Sequence, residues 1–373
     1  MNNELKILQL SHGRIYPPYS SAYSMRVHQI FKDQNRKIFS VGGFFIRDRK
    51  IGYIEQYRSL ILTALSVING NRSFEIMISQ KKFLRKKFIK RSRELINESD
   101  IIVFEGPWLY PVFKDDIKNK FIVYDAHNIE YLLRKGNKYE ENVKKIEEDL
   151  AKNANIIFTV TKEDLESFKN IYSIALNKIY LIPHTIPIKD YGWKGKLSND
   201  LVFIGSLYEP NILALKEIEN LAEKMKEFNF HIIGNISKYP GKKKMKNIIY
   251  HGVVSEEKKD EILNNSLLAL NPVTIGSGRN VKMFDYLAHG LPVISTKIGV
   301  RGFDENKIKD FVFIEDIENF GKKIIELSEN RMVVEKASGM AYGYAKNLYE
   351  IENKIDPMDI IYEHFKKHNL NNG

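Results

Sequence analysis

The stretch Gly276-Ser277-Gly278-Arg279-Asn280-Val281-Lys282-Met283-Phe284-Asp285-Tyr286-Leu287-Ala288-His289-Gly290-Leu291-Pro292-Val293-Ile294-Ser295-Thr296 decides how this sequence reads. A glycine-rich turn feeds a helix, and Gly290 followed by Pro292 returns the chain at once to a buried strand. Backbone N–H groups in such a turn, with the positive end of the helix behind them, suit a phosphate. Lys282, one turn into the helix, adds a full positive charge to a site already shaped for a diphosphate. Asp285 lies three residues further on the same helical face, where a carboxylate accepts hydrogen bonds from two ribose hydroxyls. The plainer alternative is a tight turn at Gly276 and Gly278 with a surface salt bridge between Lys282 and Asp285.

Working outward, short apolar runs alternate with longer amphipathic stretches along the whole chain, the pattern of a parallel sheet covered by helices. Around the opening segment, 201–204, 230–233, 248–251, 267–270, 292–295 and 311–314 read as strands, and 212–226, 255–264, 281–289 and 317–329 as helices. In the first half, 5–10, 38–41, 101–104, 121–124, 156–160 and 179–182 read as strands, and 24–35, 54–68, 81–97, 139–153 and 162–170 as helices. A polar stretch carrying Pro183, Pro187, Gly192 and Gly195 interrupts the alternation as a linker does. The expected class is α/β, with two Rossmann-like doubly wound parallel-sheet domains facing across a cleft. The first spans 1–188, completed by a C-terminal helix at 354–373, and the second spans 189–353. Open sheets of this kind bind ligands at the carboxyl ends of their strands.

The bulk numbers agree with that reading. A chain of 373 residues exceeds what one hydrophobic core organises, and 43% hydrophobic with 28% charged residues describes a globular protein. With no cysteine, disulfides, thiolate nucleophiles and cysteine-based zinc sites are excluded. No apolar run reaches the length of a membrane span, and the first residues lack the layout of a signal peptide, so a cytoplasmic setting is the expectation. The net charge of +11 points to an anionic partner without choosing among nucleic acid, phospholipid and a nucleotide-linked substrate.

At the opening segment the sequence resembles the family-four branch of the GT-B glycosyltransferases, the group 1 glycosyl transferases, whose donor site carries Gly-Ser-Gly-x-x-x-Lys-x-x-acid and then Gly-x-Pro-Val. The resemblance covers nearly the whole chain. Phe203-Ile204-Gly205-Ser206-Leu207-Tyr208-Glu209-Pro210-Asn211 is similar to the first strand and turn of the donor domain, which implies that Gly205 and Ser206 approach the diphosphate. Gly234 and Gly252 end two further strands whose loops surround the base in the family. Many relatives have two glutamates eight positions apart, and here Ser277 stands in place of the first and Asp285 in place of the second. The resemblance therefore leaves the transferred sugar open.

Tyr124-Asp125-Ala126-His127-Asn128-Ile129-Glu130 resembles the stretch that presents a histidine to the donor sugar, which makes His127 the first-half candidate, while Glu130 reads as a structural cap. The loop His12-Gly13-Arg14 through Arg26 resembles a glycine-rich loop of the family. Gly13 and Arg26 fit it, whereas Ala22 and Tyr23 stand where two glycines are usual. Arg26 either contacts phosphate or packs within the fold.

Together these imply transfer of a sugar from a nucleotide-sugar donor, which is a substrate and not a cofactor, to an acceptor hydroxyl. Catalytic roles fall to His127, Lys282 and Asp285, and binding roles to Gly13, Arg26, Gly205, Ser206, Gly276, Ser277, Gly278, Arg279 and Asn280. No Asp-x-Asp pair is present to hold a cation on the diphosphate, so Lys282 and backbone amides are expected to replace a metal. The resemblance also implies retention of anomeric configuration. A nucleotide-sugar epimerase of the same fold, a non-catalytic basic scaffold and a nucleic-acid-binding protein are the alternatives, although no RNP-type motif supports the last. The stretch 81–93 concentrates cations with Phe83, Leu84, Phe88 and Ile89, the pattern of a basic helix that rests on an anionic membrane with its apolar groups dipping in, or of an ordinary solvated helix.

Overall fold

The computed structural model describes residues 5–16, 22–32, 34–43, 47–69, 74–183, 188–276, 279–352 and 354–372. Ser277 and Gly278 of the glycine-rich turn, residues 17–21 of the first loop and 184–187 of the linker stretch lie outside them. The chain divides into two compact units, Met1–Pro183 with Asp356–Gly373, and His184–Ile355.

The first unit holds an eight-stranded sheet of β1 (Ile7–His12), β2 (Arg36–Gly42), β3 (Arg49–Ile51), β4 (Ile54–Arg58), β5 (Ile101–Glu105), β6 (Phe121–Ala126), β7 (Ile156–Thr159) and β8 (Ile179–Leu181). Their order is β3-β4-β2-β1-β5-β6-β7-β8, and every pair is parallel except β3 with β4. Both faces are covered, so the strands read as continuous apolar runs. Leu8, Leu10, Ile102, Phe104, Ile122 and Tyr124 point into one core, while Ile7, Ile101, Val103, Phe121 and Val123 point into the other. The helix Pro357–Asn372 closes the second face, seating Met358 and Ile361 there.

The second unit holds β9 (Asp200–Ile204), β10 (Asn229–Ile233), β11 (Ile248–Gly252), β12 (Leu268–Asn271), β13 (Val293–Ser295) and β14 (Val312–Ile314). All pair in parallel in the order β11-β10-β9-β12-β13-β14. Strand order reverses between β9 and β12, and in the first unit between β1 and β5. The carboxyl ends of those four strands are the switch points at which this architecture makes ligand sites.

The sequence reading of 54–68 as one helix is corrected. Ile54–Arg58 is the strand β4, and the helix begins at Leu60. The polar residues of β4 made it look helical, but they are buried and paired: Glu55 takes Arg91 at 2.8 Å, and Gln56 accepts the Ile15 amide at 3.2 Å. The stretch 81–97 is likewise broken, into a 3₁₀ turn Lys81–Phe83 and a helix Lys86–Glu98. Its apolar residues face inward, with Leu84, Phe88 and Ile89 in the core, so they are not available to dip into a membrane. A 22-residue helix, Arg331–Glu352, was not anticipated. Its glycines disguise it in sequence, while its buried face runs Val334, Ala337, Ser338, Ala341, Ala345, small residues that let it lie close to the helix Val281–Ala288.

Candidate active site

In the second unit, β9 is followed by Gly205-Ser206, and the helix Glu209–Lys224 begins three residues after Ser206. Gly205 is required by space, because a Cβ would stand 2.8 Å from the Phe203 ring and 3.3 Å from Ile236. Gly234, at the end of β10, has φ +106°, and a Cβ there would strike the Gly205 carbonyl oxygen. The two turns are therefore locked together. Across the switch point, Asn280 opens the helix Val281–Ala288 and reaches Asn271 at the end of β12 at 3.4 Å. Gly276 has φ +147° and is exposed.

Lys282 joins the two sides. Its Nζ donates to Asn211 Oδ1 at 2.6 Å, and Asn211 Nδ2 donates to the Ser206 carbonyl at 3.0 Å and to its Oγ at 3.2 Å. The ammonium also stands 4.4 Å over the Phe203 ring. No acid pairs with it among the described residues, and burial pulls its pKa from 10.5 down to about 7. The Lys282–Asp285 salt bridge of the plainer reading does not form. Asp285 instead accepts from Lys259 Nζ at 3.1 Å, on the helix Glu256–Asn265, and its own carbonyl holds His289 Nδ1 at 2.7 Å. Arg279 is turned into the unit, onto Glu352 at 2.7 Å and over the Phe303 ring at 4.7 Å. It is therefore tied to the end of the long helix. In this unit sequence reasoning did not single out Asn211, in the quoted turn, or Lys259, in a charged run resembling any solvated face.

In the first unit, Gly13 follows β1 with φ +74° and open space beside it. His127 follows β6. Its Nε2 lies 2.9 Å from Glu105 Oε2 and 3.4 Å from Asp125 Oδ2, both carboxylates being buried. Burial and the neighbouring Asp125 raise the pKa of Glu105. Burial acts upward on Asp125 as well, but the charges of Arg26 and His127 bring it below the ordinary value. Arg26 is not turned to a ligand. Its guanidinium grips Asp125 through Nε at 3.0 and 2.9 Å and Nη2 at 2.6 Å, and donates Nη1 to the Ile182 carbonyl at 2.8 Å.

Tyr23 occupies the space between the two histidines, its ring 4.6 Å from that of His12 and 4.6 Å from that of His127. Its hydroxyl donates to the Glu105 carbonyl at 2.9 Å and lies 3.0 Å from His12 Nδ1. Burial, with His127 and Arg134 nearby, lowers His12 to a pKa of about 3, which keeps it neutral. A second buried carboxylate, Glu147, holds the His127 loop from behind. It accepts the Glu130 and Tyr131 amides at 2.9 Å and the hydroxyls of Tyr124 and Tyr172 at 2.9 and 2.7 Å.

Glu105, Asp125 and His127 are the one group among the described residues whose ligand atoms lie close enough, within 4.8 Å, to share a metal ion. Arg26 already spans Asp125, and Gln9 Nε2 donates to Glu105 Oε1 at 2.6 Å, so side-chain donors fill most of that set.

Two doubly wound parallel-sheet units, with Lys282 near the switch point of the second, make the GT-B fold. Residues 198–330, all within the second unit, match the family described as Glycosyl transferases group 1. No curated protein matches the sequence. Among solved structures, sucrose-phosphate synthase from Thermosynechococcus elongatus aligns at 10% identity with a TM-score of 0.71, covering 97% of this chain and 99% of its own. A variant of S. aureus TarM, in complex with Fondaparinux, alpha-GlcNAc-glycerol and UDP, aligns at 12% identity and TM-score 0.66 over 98% and 99%. HepE from Anabaena, in complex with UDP and glucose, aligns at 11% and 0.64 over 92% and 95%. At these identities the likeness is one of fold.

Proposed function

We propose that this chain transfers a sugar from a nucleotide-sugar donor, bound by the second unit, to an acceptor hydroxyl, with retention of configuration and without a metal. The observation that carries the reading is Lys282, a half-buried cation with no acidic partner among the described residues, held at the switch point of the second sheet by Asn211, which in turn is fixed on Ser206. A diphosphate is the ligand that would complete it, because charge developing on the departing phosphate is met by a preset ammonium and by backbone amides. Asp285, held in place by Lys259, takes the ribose hydroxyls. His127, fixed by Glu105, orients the sugar. UDP in the TarM and HepE complexes supports a uridine nucleotide as the first to try.

The test is a thermal-shift and transfer screen with UDP-, GDP- and ADP-sugars, in the presence and absence of a chelator. One nucleotide class at about 100 times its Kd should stabilise the protein by about 2.7 kcal/mol, with transfer persisting in the chelator. Stabilisation by none of the three would remove the donor-site reading, and turnover that depends wholly on added Mg²⁺ or Mn²⁺ would remove the metal-free mechanism.

A further inference from the structure

A cavity of about 490 Å³ opens between the turn Lys81–Phe83 and the helix Lys86–Glu98 of the first unit. Leu84 and Ile89 form its apolar floor, and Lys81, Lys86, Lys90, Arg93 and Glu94 stand around it, the carboxylate of Glu94 being taken by Arg91 at 3.0 Å. Arg93 has an acidic partner, Asp116 at 3.1 Å. Lys81, Lys86 and Lys90 are exposed and have none among the described residues. Three uncompensated ammonium groups around one concavity make a site for a phosphate-bearing anion.

The neighbouring surface says what carries that anion. The Ser59 hydroxyl donates to the Phe83 carbonyl at 3.4 Å, and Arg85 donates to the Arg58 carbonyl at 3.1 Å, so the end of β4 lies against the cavity's own segment. The helix Leu60–Asn69 starts immediately after Ser59. Leu62 of that helix is buried, but Leu60 is 55% and Ile61 57% exposed, and Ala64 on the same face is also exposed. An apolar helix face left in water beside a basic cavity is costly unless something apolar and anionic covers it. Nucleic acid and free phosphate match the charge but leave Leu60 and Ile61 uncovered.

We propose that this surface docks on an anionic bilayer, lipid phosphates seating in the Lys81–Lys86–Lys90 cavity while Leu60 and Ile61 enter the interfacial region. The inserting groups are thus not those of the basic stretch itself, whose apolar side chains belong to the core. Attraction of each lysine near a charged surface is short-ranged and screened, so docking is salt-sensitive, whereas the apolar contribution is not.

The experiment is co-sedimentation of the full chain with vesicles of equimolar phosphatidylcholine and phosphatidylglycerol, against phosphatidylcholine alone. Wild-type protein should pellet with the anionic vesicles at low ionic strength and release as salt rises. Lys81→Ser, Lys86→Ser and Lys90→Ser together should weaken binding about 100-fold. Leu60→Ser with Ile61→Ser should weaken it while leaving the salt dependence in place. Both variants should keep nucleotide binding and melting temperature, since neither set lies in the donor site or the core. Absence of binding at low salt, equal binding to neutral vesicles, or an unaffected triple lysine variant overturns the proposal. Protection by inorganic phosphate alone, or tighter retention by single-stranded RNA than by vesicles, also overturns it.

Discussion

Lys282→Met should change three measurable quantities in directions that the environment of Nζ fixes. The ammonium is bonded to a neutral amide, and burial holds its pKa at about 7 against 10.5 for the usual lysine. Because the folded value is the lower one, the unfolded chain holds the extra proton between about pH 7 and 10.5, and the ligand-free protein gains stability as pH rises through that window. Below it, keeping the charge there costs at most about 5 kcal/mol. Lys282→Met should therefore stabilise the ligand-free protein at pH 6 and hardly affect it at pH 10. A diphosphate beside Nζ restores the charged form, so binding at pH 8 should take up about 0.9 proton, and affinity should fall about eightfold from pH 7.5 to 8.5. Calorimetry of nucleotide binding in buffers of different ionisation enthalpy reads the proton directly. The variant should bind weakly with no uptake, and turnover should drop about 100- to 1000-fold. Affinity that is flat with pH, or proton uptake that survives in Lys282→Met, would refute the assignment of Lys282 to the phosphate.

Arg26→Ala leaves Asp125 buried without its cation and should destabilise the protein by about 3 to 5 kcal/mol in chemical denaturation, with donor affinity of the folded fraction unchanged; a loss below 1 kcal/mol contradicts the pairing. His127→Ala should cut turnover far more than nucleotide binding, because the proposed nucleotide contacts lie in the second unit, and equal losses would argue against that division. Gly234→Ala should cost at least about 2 kcal/mol and weaken nucleotide binding by displacing Gly205, whereas Gly252→Ala, with φ +71° and open space, should cost only about 1 kcal/mol. Similar melting temperatures for those two variants would show that the Gly234–Gly205 contact is not constraining.

Much of this was legible because both sheets are covered on both faces. Strands such as Ile101–Glu105 and Phe121–Ala126 are then continuous apolar runs, bounded by polar turns, that propensity and pattern both favour. The misreadings have one cause in common, tertiary pairing that the local pattern does not show. The polar side chains of β4 find partners on other elements, and the long helix Arg331–Glu352 uses small residues where a sequence search looks for large apolar ones. The same holds at the site. Lys282 stands out in sequence because a cation at the start of a helix that follows a glycine turn is locally meaningful. Arg26 looks the same locally, but its fate is decided by Asp125, 99 positions away. Glu105 carried a visible signal, an acid at the end of an apolar strand followed by glycine, whereas Lys259 carried none.

The two half-sites differ in how their charges are settled before any ligand arrives, and that difference divides the labour. In the first unit the carboxylates already have donors: Arg26 on Asp125, Gln9 and His127 on Glu105, four donors on Glu147. Such a network is satisfied and rigid, so what it offers a substrate is geometry. Tyr23 strengthens the point, since its hydroxyl is committed to Glu105 and its ring fixes the planes of His12 and His127 from between. In the second unit the balance is left open, because Lys282 is held in place by neutral groups that orient the ammonium without neutralising it. An unneutralised cation destabilises the ligand-free protein and attracts an anion for the same reason. On the proposed function that attraction grows as the leaving phosphate gains charge, so the electrostatic part of catalysis would fall to the second unit and the positioning of the sugar by His127 to the first.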